Sequence, residues 1–98
     1  MRVISVKTLR DFWTIHSQSE MPLRTWLAAA RSGDWKSFSD VRATFGSADI
    51  YKSLTIFNIG GNKYRLIAAI HYNTGIVYVL HVLTHKEYDT DDWKKSAQ

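Results

Sequence analysis

The sequence contains no cysteine. A disulfide staple and a thiolate metal site are both excluded, and a reducing compartment suits such a chain. It has one proline, Pro22, and no Pro-, Gly- or Ser-rich stretch that would read as a linker. It also lacks a long apolar run. The longest, Ile76 to Leu83, is too short to cross a bilayer and carries His81 within it. The first residues, Met-Arg-Val-Ile-Ser-Val-Lys, do not contain the apolar core of a signal peptide. No internal repeat or low-complexity tract is visible. These absences lead to the expectation of a soluble, cytoplasmic protein, with no membrane contact, folding as one domain over residues 1–98.

What remains is a small chain of ordinary apolarity. Its 98 residues are 45% hydrophobic, enough for a modest core and too much for disorder. The formal charge of +4 favours a polyanionic partner such as RNA, or an acidic protein, against the plainer reading of a lysine-rich solvated surface. Four tryptophans and five tyrosines are many for this length. Most are expected in the core, and some could stack on bases.

The hydrophobic pattern divides the chain into a helical half and a strand half. Arg2 to Val6 alternates as a short strand does. Thr8 is placed to cap a helix running to about Gln18, with Leu9, Phe12, Trp13 and His16 at helical spacing. A second helix has Pro22 in its tolerated first turn, a stripe of Leu23, Trp26, Leu27 and Ala30, and Gly33 at its end. Ser39 and Asp40 fit a cap for a brief helical turn through Phe45. From Ala48 the pattern turns to strands: Leu54–Ile59, then Lys63–Tyr72 after a Gly60-Gly61-Asn62 turn, then Ile76–Thr84 after Asn73-Thr74-Gly75. A short helix or irregular segment is expected over about Glu87 to Lys95. The order β-α-α-(short helix)-β-β-β is that of an α+β fold, a helical hairpin packed on a mainly antiparallel sheet. The two-residue period sets Lys63, Arg65, Ile67, Ala69 and His71 on one face, and Tyr64, Leu66, Ala68, Ile70 and Tyr72 on the face that meets the helices.

Two polar clusters punctuate the strands. One, with Asn62, Lys63 and Arg65, opens a strand. The other, with His85, Lys86, Glu87 and Tyr88, closes the next. Antiparallel neighbours bring the start of one strand beside the end of the other, so the clusters converge at one edge.

The strings Phe57-Asn58-Ile59-Gly60-Gly61-Asn62-Lys63-Tyr64-Arg65 and Thr84-His85-Lys86-Glu87-Tyr88-Asp89, in this element order, resemble the HigB family of toxins. The Asp34-Trp35-Lys36 and Ser47-Ala48-Asp49 segments also fit it. The resemblance covers essentially the whole chain and weakens over Thr90 to Gln98. It implies the RelE/ParE-like fold and the toxin half of a type II toxin–antitoxin pair: an mRNA interferase that cuts mRNA, commonly during translation in the ribosomal A site. It also implies silencing by a cognate HigA-type antitoxin with a helix-turn-helix domain, through which the pair would reach operator DNA.

The residue chemistry suits that expectation. Cleaving RNA without a metal requires a base for the 2′-OH, in-line placement, charge compensation at phosphate and an acid for the leaving 5′-oxygen, giving 2′,3′-cyclic phosphate and 5′-hydroxyl ends. Arg65 is the candidate phosphate clamp, since a guanidinium is planar, always charged and bidentate. Its alternative is a surface arginine paired with Asp49 or Asp89. Lys63 would add charge on the same face, or merely solubilise a turn. His85 is the candidate general acid or base, because imidazole titrates near neutrality; it could instead cap a strand end. Tyr88 could stack on or hydrogen-bond the scissile nucleotide, or pack the C-terminal segment. Glu87 is a possible orienting group for His85. Asn62 and Lys86, together with Lys36 and Arg42, are candidate RNA-binding residues, with surface solubility as the competing explanation for the last two. His16, His71 and His81 read as structural. The four histidines show no metal-ligand spacing, and no cofactor is expected. The competing functional class is a non-catalytic RelE/ParE-like interaction module, inhibiting gyrase or only binding an antitoxin. A plain RNA-binding protein is a third.

Overall fold

The computed structural model describes residues 1–97. Its strands are β1 (Arg2–Ile4), β2 (Asp49–Tyr51), β3 (Leu54–Ile59), β4 (Tyr64–His71) and β5 (Ile76–Thr84), joined in one sheet in the order β1-β5-β4-β3-β2. β1 lies parallel to β5, and the other neighbouring pairs are antiparallel. A parallel pair needs a long connection, and everything from the first helix to β4 supplies it. Three helices, α1 (Val6–Ile15), α2 (Glu20–Ser32) and α3 (Phe38–Thr44), fall between β1 and β2. α4 (His85–Asp89) follows β5 directly, and a 3₁₀ turn over Asp92–Ser96 comes after it. The architecture is α+β, with helices on a mostly antiparallel sheet.

The apolar stripe of α2 works as its spacing requires: Leu23, Trp26, Leu27 and Ala30 are all buried. Gly33 follows, but not as a left-handed cap, for its φ is −72°. A Cβ there would stand 2.8 Å from the Trp35 ring nitrogen, so the close approach of that ring demands the glycine. Several boundaries move from their expected places. β1 stops at Ile4 because Ser5 turns left-handed (φ 73°), and α1 therefore begins at Val6, two residues ahead of Thr8. α3 begins at Phe38 behind Ser37, while the Asp40 carboxylate accepts from the Lys36 amide at 2.8 Å. The strand pattern from Ala48 resolves into the three-residue β2 and then β3, with Lys52 at φ 53° in the turn between.

The faces of β4 are as the two-residue period sets them. Leu66 and Ala68 join Phe57, Ile59, Val77, Val79 and Val82 in a core closed by Leu9, Leu23, Trp26, Trp35 and Val41 from the helical side. Thr55, polar and buried in β3, shares a side-chain hydrogen bond with Tyr72, whose phenol is raised above its ordinary value by burial. On the opposite face Ile67 is fully buried. It packs with Leu54 and Ile56 beneath Trp93, so the C-terminal segment covers a patch that the helices do not reach. β5 carries a bulge: Ile67 pairs with His81 but Ala68 pairs with Val79, leaving Leu80 as an extra residue. Both Leu80 and His81 consequently turn to the face opposite the helices, where the His81 Nε2 lies 2.8 Å from the Ser96 hydroxyl.

Candidate active site

The two polar clusters meet at one end of the face opposite α1, α2 and α3. Arg65 is flanked across the ladder by Asn58 of β3 and Leu83 of β5, and Tyr64 is paired with Thr84. The chain leaves β5 at Thr84 and turns at once into α4, whose first residue is His85. The helix thus starts two residues before the expected Glu87, and His85 belongs to its first turn, not to a strand end. A capping box sets this start. The Thr84 hydroxyl accepts from the Glu87 amide at 3.2 Å, and the Glu87 carboxylate accepts from the Thr84 amide at 2.9 Å.

Helical spacing then puts His85, Tyr88 and Asp89 on one side of α4. The His85 Nδ1 lies 3.1 Å from the Asp89 carboxylate. It is Asp89, not Glu87, that holds the imidazole, while Glu87 serves the helix start. A carboxylate only accepts, so the neutral ring carries its hydrogen on Nδ1 and leaves Nε2 as an acceptor. Both side chains are more than half exposed, at 53% and 62%, so the pair orients the ring and adds little stability.

The guanidinium carbon of Arg65 sits 5.2 Å from the centre of the Tyr88 ring. Its Nη1 donates to the carbonyls of Asn62 (3.1 Å) and Tyr64 (3.2 Å). Asp89 is engaged with His85, and Asp49 accepts from the Ile50 amide. Among the described residues no carboxylate forms an ion pair with Arg65, so its positive charge is not cancelled by an acid. Tyr88 in turn stacks on Trp93, centroids 5.1 Å apart and planes 9° from parallel, and the Trp93 Nε1 donates to the Tyr88 carbonyl at 3.0 Å.

Asn62 and Lys63 are exposed in the β3–β4 turn, where Gly60 and Gly61 both take positive φ (61° and 69°). The turn holds them at the same end of the sheet as α4, and Lys86 is exposed on α4 itself. Lys36 and Arg42 are elsewhere. They belong to α3 and the segment before it, which pack through Trp35, Val41 and Phe45 on the helical side of Phe57. The sheet separates them from Arg65, and Lys36 is ion-paired with Asp34 at 3.1 Å. Sequence reasoning missed Asp89 as the partner of His85 and Trp93 as the support of Tyr88. The first was recoverable from its four-residue spacing after His85, and the helix start from the Thr-x-x-Glu pattern at Thr84. Nothing local marks Trp93.

Beside α4 lies a cavity of ≈ 290 Å³ lined by His81, Leu83, Glu87, Thr90, Asp92 and Trp93. Among the described residues no group of three His, Asp or Glu side chains is arranged to hold a metal ion, and no helix is long and apolar enough to cross a membrane.

The chain is 33% identical to the mRNA interferase toxin HigB of Escherichia coli K12 over 92 residues, covering 91% of this chain and 88% of that protein. The mRNA interferase HigB of Shigella flexneri matches to the same extent. The mRNA interferase HigB of Escherichia coli O6:H1 is 24% identical over 91% of this chain and 89% of its own length. The HigB_toxin family model, described as the RelE-like toxic component of a toxin-antitoxin system, matches residues 19–91, a span that takes in both polar clusters. With a family model over residues 19–91 and a relative 33% identical across most of its length, the chain belongs to the HigB toxin family.

Proposed function

We propose that this chain, residues 1–98 acting as one toxin domain, is the toxin of a type II toxin–antitoxin pair and cleaves mRNA at the corner formed by Arg65, His85 and Tyr88. The observation that carries the reading is an arginine that no carboxylate among the described residues pairs with, set against Tyr88 of the short helix whose His85 is held by Asp89. His85 Nε2 takes the proton from a ribose 2′-OH. The 2′-oxygen bonds to phosphorus as the bond from phosphorus to the 5′-oxygen breaks, giving a 2′,3′-cyclic phosphate and a 5′-hydroxyl. The resulting imidazolium is stabilised by Asp89. Arg65 offsets charge on the phosphate oxygens. Lys63 and Tyr88, the remaining donors at this corner, serve the leaving oxygen, while Asn62 and Lys86 grip flanking phosphates. Lys36 and Arg42 sit on the far face of the sheet and fit a second RNA contact, such as ribosomal RNA, better than the scissile linkage.

The shallow, exposed setting of His85 suits a substrate brought in line by a larger body. This supports action in the cytoplasm on mRNA under translation, with the ribosome positioning the strand. The partner that silences it is an antitoxin; a HigA-type helix-turn-helix protein, linking the pair to operator DNA, fits the family. The test is to induce the protein in growing cells and map mRNA 5′ ends. Cuts within coding regions that vanish with Arg65→Ala support the reading. Intact mRNA together with broken DNA would point to gyrase poisoning instead.

A further inference from the structure

Resting on that reading, we infer that Trp93 is a positioning residue for the active site: it fixes Tyr88, and through Tyr88 the guanidinium of Arg65. Trp93 lies beyond the 19–91 span of the family match, so the device is carried by the C-terminal segment of this chain.

α4 has only five residues, too few to be stable or well placed by itself. Its capping box fixes the start but not the far turn, where Tyr88 sits. Trp93 supplies the missing anchor. It is 4% exposed, seated on Leu54, Ile56 and Ile67, and met edge-on by Tyr51 at 5.4 Å. From this fixed seat it makes two contacts to one residue: its ring stacks on that of Tyr88, and its Nε1 donates to the Tyr88 carbonyl. Ring and backbone of Tyr88 are thereby held together. Tyr88 then offers its ring to Arg65, whose own hydrogen bonds are to the backbone carbonyls of Asn62 in the adjoining turn and Tyr64 at the start of β4. The guanidinium is thus set between two backbone carbonyls and an aromatic ring that is itself anchored to the sheet through Trp93. Trp93 touches no substrate in this arrangement. Its effect falls on the rate of the chemical step, which is sensitive to shifts of about 1 Å.

The experiment uses the full chain and mRNA cleavage in a translating cell-free extract, read as the maximal single-turnover rate and the toxin concentration that gives half of it. Trp93→Leu keeps an apolar plug but loses both the stack and the donor. It is expected to lower the maximal rate by about 10- to 100-fold, with little change in the half-saturating concentration. Trp93→Phe restores a stacking ring and is expected to recover most of the rate, which also settles the matter if Trp93→Leu does not fold. In parallel, NMR of Trp93→Leu is expected to move the Tyr88 ring signals and speed exchange of the Arg65 Nε–H, with the helical core unchanged. A wild-type maximal rate in the folded leucine variant, or in the phenylalanine variant a loss as large as with leucine, overturns the role. So does a lowered rate with the Tyr88 and Arg65 signals in place. Arg65→Ala separates this inference from the reading beneath it. Wild-type cleavage by Arg65→Ala removes the active-site assignment itself. An inactive Arg65→Ala beside a fully active Trp93→Leu removes only the positioning role.

Discussion

The two faces of the sheet are closed in different ways. On one, three helices bury a continuous core that includes Leu9, Leu23, Trp26, Trp35, Phe57 and Leu66. On the other, a short C-terminal segment sets Trp93 on Leu54, Ile56 and Ile67, with Tyr51, Leu80, Leu83 and Tyr88 only partly buried around them. Among the described residues the core of the first face holds no charged side chain, and this face serves stability. The second stops short of full closure, and at its margin Arg65 and Tyr88 are half-buried and His85 is exposed. On the proposed reading, stability and chemistry fall to opposite sides of the same strands. Alternate residues of β4 serve each: Leu66 and Ala68 inward to the helices, Arg65 outward to the site.

Substitutions on the two faces are expected to separate accordingly. The largest effect belongs to the helical face. Trp26→Ala is expected to destabilise by about 3–5 kcal/mol, read by urea unfolding, and to remove toxicity by depleting the folded protein. A loss under about 1 kcal/mol would mean that this core is not where stability resides. Next comes Arg65→Ala on the open face, expected to reduce cleavage by about 10²–10³-fold while changing stability by no more than about 0.5 kcal/mol. Should unfolding and activity fall together, the division between faces fails. Thr84→Ala, at the boundary, removes the hydroxyl of the capping box. It is expected to cost about 1 kcal/mol and to raise amide exchange in α4 before any other element. The smallest effect concerns Tyr72 on the helical side. Its raised phenol value means that the fold prefers the neutral form. That contribution is whole below the ordinary value of 10.0 and is lost as pH climbs through the higher folded value. Stability of the wild type is therefore expected to fall off on the alkaline side more steeply than that of Tyr72→Phe; superimposable profiles would rule this out.

The layers and the faces of β4 were legible in the sequence because both depend on short-range periods: 3.6 residues in the Leu23–Ala30 stripe, two in Tyr64–Tyr72. That the start of β4 lies beside the end of β5, where α4 brings Tyr88 to 5.2 Å from the Arg65 guanidinium, was legible for the same reason, being a consequence of antiparallel neighbours. What was not legible depended on single torsions or distant packing. Ser5 at a positive φ shortens β1 and advances α1, a choice no pattern encodes. The proximity of Gly33 to Trp35 is a tertiary contact that resembles an ordinary helix stop in sequence. The start of α4 at His85 was written in Thr84 and Glu87 but read as a catalytic accessory. The cover over Ile67 comes from Trp93, more than twenty residues away, in a segment whose composition alone reads as solvated tail.

The bulge at Leu80 has a consequence for how this chain can change in length. Because two residues there oppose one on β4, removal of Leu80 would restore plain alternation and return His81 through Thr84 to the sides they already occupy. A one-residue deletion in β3, in β4 or elsewhere in β5 would invert every side chain beyond it. β5 therefore contains a seam at which the gene can lose a codon without turning the sheet inside out, at the expense of local twist and one apolar contact.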